Sequence, residues 1–206
     1  MRTKTSLSIR EGVIFAMLAA IMFVSKLVME LLPNMHLLAC LVIVYTLVYR
    51  LKALIPIYLY VLINGVYSGF AMWWIPYLYV WTLLWGAVML LPRRMPERVG
   101  FIVYPILAAL HGFAFGVLYA PMQALMYGLN FEGMLAWVAA GLPFDLIHGV
   151  SNFAIGFLIL PLTRLLRRLS GVKADSGEKS YASPPSSDIK ATEAYTGASE
   201  TDMAQD

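Results

Sequence analysis

Several polar side chains stand inside otherwise apolar stretches of this 206-residue chain at helical spacing. Asp145, His148 and Asn152 fall at i, i+3 and i+7 within 142–165, so a helix there sets a carboxylate, an imidazole and a carboxamide on one face. Lys26 and Glu30 are four apart near the end of 12–32, with Asn34 and His36 just beyond. Asn64 lies in 53–70, and His111 near the middle of 101–126. In hydrocarbon each such group costs free energy unless it faces protein, water or a ligand. Each also has a purely structural reading. Lys26 and Glu30 can pair along their helix, Asp145 and His148 can hydrogen-bond each other, and His111 can be a satisfied core histidine. Asp145 with His148 has the makings of an acid–base pair, but no nucleophile or metal-ligand cluster accompanies it.

The stretch 71–91 adds Trp73, Trp74, Tyr77, Tyr79, Trp81 and Trp85. Trp73 and Trp74 fit an interfacial belt. Trp74, Tyr77, Trp81 and Trp85 are spaced three, four and four, so they share a helical face that extends too deep for a belt. Aromatic faces take flat or cationic ligands, and they also simply pack. No G-x-x-x-x-G-K-[ST] nucleotide loop, H-E-x-x-H, G-x-S-x-G or C-x-x-C is present, which excludes transport driven by the chain's own ATP hydrolysis. The single cysteine, Cys40, lies in an apolar run and excludes an internal disulfide or a cysteine-based zinc site.

The elements that must hold these residues follow from composition. Apolar residues make up 60% of the chain and mean hydropathy is +0.72, beyond the range of an ordinary soluble domain. A spanning helix needs about 20 mostly apolar residues. Six apolar stretches are expected: 12–32, 35–49, 53–70, 71–91, 101–126 and 142–165, with 130–141 as an outer connection of partly helical character. Lys and Arg gather at every second junction, at Arg2, Lys4 and Arg10; Arg50 and Lys52; Arg93, Arg94 and Arg98; and Arg164, Arg167 and Arg168. Cytoplasmic loops retain basic residues, so the expectation is an all-α integral membrane protein, six transmembrane helices in one compact bundle with both termini cytoplasmic. Lys26 alone breaks the alternation. The positive charge of the first 169 residues follows from this topology and from anionic lipid, so nucleic acid is not an expected partner. Residues 1–169 form the membrane domain. From Ser170 on, Ser, Pro, Gly and charged residues dominate, with three Lys against seven Asp and Glu, the composition of a disordered cytoplasmic tail.

Small residues recur at four-residue spacing in Ala108, Gly112, Gly116 and Ala120, and again in Ala16 and Ala20. Such stripes let membrane helices approach closely. Packing within the bundle is the first reading for both; for Ala16 and Ala20 a surface for another membrane subunit is the second.

Six spans, cytoplasmic ends, outward polar and aromatic groups and the Ala16-x-x-x-Ala20 spacing together resemble the S components of energy-coupling factor (ECF) transporters. The runs Leu31-Leu32-Pro33-Asn34-Met35-His36 and Trp73-Trp74-Ile75-Pro76-Tyr77-Leu78-Tyr79-Val80-Trp81 look like a branch of that family without an assigned substrate. The resemblance implies a prokaryotic, multi-pass plasma-membrane protein that captures a vitamin or related micronutrient outside. Release inward would follow association with a transmembrane coupling subunit and two ABC-type ATPases, after the S component tips over in the bilayer. It implies no enzymatic activity, cofactor or metal. Ala16 and Ala20 would dock the coupling subunit. Lys26, Glu30, Asn34, Asn64, Trp74, Tyr77, Trp81, Asp145, His148 and Asn152 would line the pocket. Aromatics beside Asp145 and Glu30 favour a ring-bearing neutral or cationic solute, with Lys26 leaving room for one carboxylate. The other classes are a non-transport scaffold of cell-envelope assembly, with no pocket, and a small intramembrane enzyme using Asp145 and His148.

Overall fold

Helix α1 (Ile9–Met29) begins at a capping box. The Glu11 N–H donates to Ser8 Oγ at 3.2 Å while the Ser8 N–H donates back to the Glu11 carboxylate at 3.1 Å, satisfying two N-terminal donors reciprocally. The computed structural model describes residues 7–31 and 35–172, and every regular element among them is helical. After α1 come α2 (Leu38–Tyr49), a 3₁₀ turn at Arg50–Ala53, α3 (Leu54–Ser68), a second 3₁₀ turn at Met72–Trp74 and α4 (Tyr77–Leu90). Then follow α5 (Glu97–Phe113), α6 (Phe115–Tyr127), α7 (Phe131–Gly156) and α8 (Ile159–Ser170). Of the expected disordered tail, Ser170 closes α8, and residues 173–206 lie outside the described residues. Five stretches are long and apolar enough to cross a membrane: Ile9–Met29, Leu38–Ser68, Met72–Leu90, Glu97–Tyr127 and Phe131–Gly156. These are the dimensions of a multi-pass helical membrane protein.

The core is built around α2. Ten of its twelve residues are buried, Cys40 among them, so it is apolar all round because protein surrounds it. That explains how so short a helix persists: its backbone bonds are shielded by neighbours, and α1 is tied to it where Tyr45 Oη donates to the Leu18 carbonyl at 3.0 Å. The outward faces of α1, α5 and α7 carry exposed Val13, Val24, Phe101, Leu110, Leu146 and Val150, the surface expected against lipid tails.

Helix boundaries depart from the sequence expectation at three places. The stretch 130–141 is the first part of α7, because Asn130 caps the helix by accepting from the Gly133 N–H at 2.8 Å. The expected fifth span is two helices that part at Ala114. There the Gly116 N–H donates to both oxygens of Asp145 at 3.1 Å, which draws it out of the helical ladder. The expected sixth span stops at Gly156. The next helix, α8, buries Ile159 and Thr163 and carries Arg164, Arg167 and Arg168, so it is amphipathic.

Polar contacts draw the basic junctions to one end of the bundle. Lys52 pairs with Glu11 at 2.5 Å and Arg164 with Glu97 at 2.6 Å. An Arg50 guanidinium N–H reaches the Met89 carbonyl at 3.3 Å. Arg50 has φ +54°, the one positive φ outside glycine among the described residues, and its carbonyl accepts from the Trp85 indole N–H at 3.0 Å. Trp85 thus holds the turn after α2. Away from this end, Phe23 meets Tyr67 edge to face at 5.1 Å and Tyr119 Oη donates to the Trp73 carbonyl.

Helices α5 and α7 form an antiparallel seam that continues into α6. Pro105 faces Gly156, Ala108 faces Asn152, Gly112 faces Gly149 and Gly116 faces Asp145. A Cβ built on Gly112 would stand 2.8 Å from the Gly149 Cα, and one on Gly156 would stand 2.5 Å from the Pro105 Cα. Only glycine lets the backbones meet this closely, which is how helices associate when lipid removes the hydrophobic drive between them. The stripe Ala108, Gly112, Gly116 and Ala120 is buried throughout.

Candidate functional site

Trp81, on the inward face of α4 and 3% exposed, is the hub of a continuous array of rings. Tyr77 stacks on it one turn earlier, with centroids 5.8 Å apart and planes 10° apart. Tyr60 of α3 approaches edge-on at 6.5 Å, while His111 of α5 at 5.6 Å and Phe115 of α6 at 6.2 Å lie tilted to it. Phe115 in turn touches His148 of α7 at 5.0 Å, and His148 touches His36, in the α1–α2 connection, at 6.0 Å. Phe115, just after the α5–α6 break, contacts both His111 and His148.

Polar atoms without a protein partner collect around the array. Among the described residues these include Tyr60 Oη, both side-chain polar atoms of Asn64, Trp81 Nε1, His111 Nδ1 and Asn152 Oδ1, all in buried side chains. Most buried polar atoms in folded proteins are paired, so several orphans on the helices that carry the array call for an explanation. They also include His36 Nδ1. The His111 Nε2 lies 3.3 Å from the Val80 carbonyl. Since a carbonyl only accepts, Nε2 carries the proton and Nδ1 is left as an acceptor.

The residues singled out from sequence separate into two groups. Tyr77, Trp81 and His148 belong to the ring array, and Asn64 stands one turn from Tyr60 on the same face of α3, with no exposed surface. Asn152 joins through its free Oδ1, although its Nδ2 donates to the Ala108 carbonyl at 3.3 Å. The second group is already engaged. Asp145 receives the Gly116 N–H and shares no hydrogen bond with His148. The Trp74 indole N–H donates to the Val61 carbonyl at 2.8 Å, with the ring packed over Gly65 beside Phe70. Lys26 and Glu30 pair with each other at 2.6 Å, the lysine side chain 15% exposed and the glutamate 50%. Their pair nevertheless borders the array, since Glu30 is an electrostatic neighbour of Tyr60 and Tyr77, and both charges act on His36. Burial first, and then the Lys26 charge, hold the His36 imidazole below its ordinary value of 6.5, against the opposing pull of Glu30. Asn34 lies outside the described residues. Ala16 and Ala20 lie exposed on the outer face of α1, in line with Gly12, whose Cβ position is open.

Tyr60 and Phe115 were not among the residues expected at the site. Both carried a signal: Tyr60 precedes Asn64 by four residues and Phe115 follows His111 by four, the spacing of one helical face.

Two surface grooves lie away from the array. One, of about 380 Å³, runs between α4 and α6 past Tyr79, Leu83, Pro121 and Met122. The other, of about 410 Å³, follows α1 past Ala20, Val24, Val28 and Leu37. Both are lined mainly by apolar side chains, which suits lipid chains, and neither lining includes a residue of the ring array. Among the described residues no cluster of three metal-ligating side chains occurs. Compared with protein-family models, curated proteins and solved structures, the chain matches none.

Proposed function

We propose that this protein is the substrate-capture subunit, or S component, of an ECF-type importer, and that the ring array around Trp81 is its binding site. The observation that carries the reading is the set of unpartnered polar atoms on α3, α4, α5 and α7 beside contiguous aromatic rings. Inside a bilayer such groups are costly unless something answers them. A captured small molecule answers them and gains stacking surface at the same time.

In this reading the chain crosses the membrane six times with both ends in the cytoplasm. The turn at Arg50–Ala53 divides Leu38–Ser68 into two short passes, and its ion pair to Glu11 keeps it beside the start of α1. The basic end then faces anionic inner-leaflet lipid, and substrate reaches the buried array from the other face. Arg164, Arg167 and Arg168 put α8 at the inner interface, where long basic side chains reach the headgroups. Ala16 and Ala20 form the dock for the coupling subunit, supported by their exposure in a stripe that a partner helix can approach closely. Lys26 and Glu30 act at the rim as a neutral pair.

The importer assignment is tested by affinity purification of the full chain from the cells that make it. The expected result is co-elution of one membrane subunit and ATPases carrying nucleotide-loop sequences, lost in the A16L/A20L variant while the chain itself stays intact. Recovery of the chain free of any ATPase under conditions that preserve membrane complexes would overturn it.

A further inference from the structure

We infer that the ligand is an uncharged nitrogen heterocycle presenting a hydrogen-bond donor and an acceptor side by side, read by the carboxamide of Asn64. This rests on the capture reading above and narrows its substrate class. Asn64 has no exposed surface, and neither its Oδ1 nor its Nδ2 has a partner. A carboxamide with both atoms free offers one acceptor next to two donors. Its complement is an edge with the same pair reversed, as in a lactam, a ureido group or an amino-substituted ring nitrogen. Asparagine pairs in this bidentate way with the edge of adenine.

The remaining orphans fit the same class. Trp81 Nε1 can only donate, His111 Nδ1 and Asn152 Oδ1 can only accept as assigned, and Tyr60 Oη can do either. All are neutral. Of the charges nearby, Lys26 and Glu30 match each other, and both Asp145 oxygens accept from the Gly116 N–H. An ionic ligand would meet no counter-charge among the unpartnered groups themselves, and bringing an ion out of water without one is expensive. The stack of Tyr77 on Trp81, with the Tyr60 edge beside it, supplies flat surface for a ring.

The test is a titration of the purified full-length protein in lipid nanodiscs, read by tryptophan emission. The uncharged probes are hypoxanthine, adenine, uracil and 2-pyridone; the ring-bearing ions are benzoate, nicotinate and trimethylphenylammonium. At least one uncharged probe is expected to saturate the signal, with ions of similar size at least tenfold weaker. N64L is expected to weaken the uncharged probe between fivefold and a hundredfold, the worth of one bidentate pair. N64D, whose carboxylate cannot donate, is expected to lose it by at least tenfold. The thermal midpoint of N64L is expected to equal or exceed that of the parent, because removing buried groups that have no partner costs nothing. A large drop in that midpoint would make Asn64 structural and overturn the inference. Binding of an ion with none of the uncharged probes bound would overturn the inference and leave capture standing. Binding of no probe, charged or uncharged, would overturn both.

Discussion

His36 lies between the charge pair of α1 and His148 of α7, and its burial makes it a pH-sensitive point of the fold. Its folded-state value is depressed, so the unfolded chain binds the proton more readily. The stability it carries is therefore present above the ordinary histidine value of 6.5 and lost as pH falls through the folded value. Melting temperatures of the parent and H36Q between pH 8 and pH 5 check this. The parent is expected to fall faster than H36Q below about pH 6.5, the ordinary histidine value; parallel curves would contradict it. Asp145 gives a second residue-level prediction. D145L strips the acceptor from the Gly116 N–H and is expected to cost about 1–3 kcal/mol, the penalty for an orphaned buried donor. D145N, which keeps an oxygen there, is expected to cost less, as read by thermal unfolding in detergent. Spacing alone could put Asp145, His148 and Asn152 on one face, and α7 does carry them so. It could not tell which of them were spoken for, because Gly116 lies 29 residues away in sequence.

Among the elements, α5 and α7 are held by shape. G112V and G156V force side-chain atoms into the Gly149 and Pro105 backbones and are expected to lose roughly 1–3 kcal/mol or more, as overpacked sites do. G86A, at a position with open space, is the control and is expected to change the thermal midpoint little. Equal midpoints for all three variants would contradict the seam. The small-residue stripe that runs from α5 into α6 was legible as packing because four-residue spacing marks one helical face. The break at Ala114 was not, since no proline or glycine sits at 113–115 and the cause is a side chain on another helix. The end of α7 was hidden for a similar reason. Hydropathy runs on past Gly156, and only the arginines of α8 separate an apolar helix from an amphipathic one.

For the whole molecule, basic residues of three expected junctions are tied to helix ends, Lys52 to Glu11, Arg164 to Glu97 and Arg50 to the Met89 carbonyl. The proposed sidedness has its own check. In a C40A background, single cysteines at Arg94 and Tyr127 are expected to react with an impermeant thiol reagent from opposite faces, R94C from the cytoplasm and Y127C from outside. Labelling of both from one face would contradict six passes. The ring array is a product of the whole bundle, because side chains from α3, α4, α5, α6 and α7 converge there. The most direct measurement is the mass of the full-length protein released intact from detergent, with any small molecule it carries then identified after denaturation. A single bound species at one per chain is predicted for the parent and none for the W81L/N64L variant. A parent that carries nothing, and takes up nothing when the heterocycle and ion probes are supplied, would contradict the account.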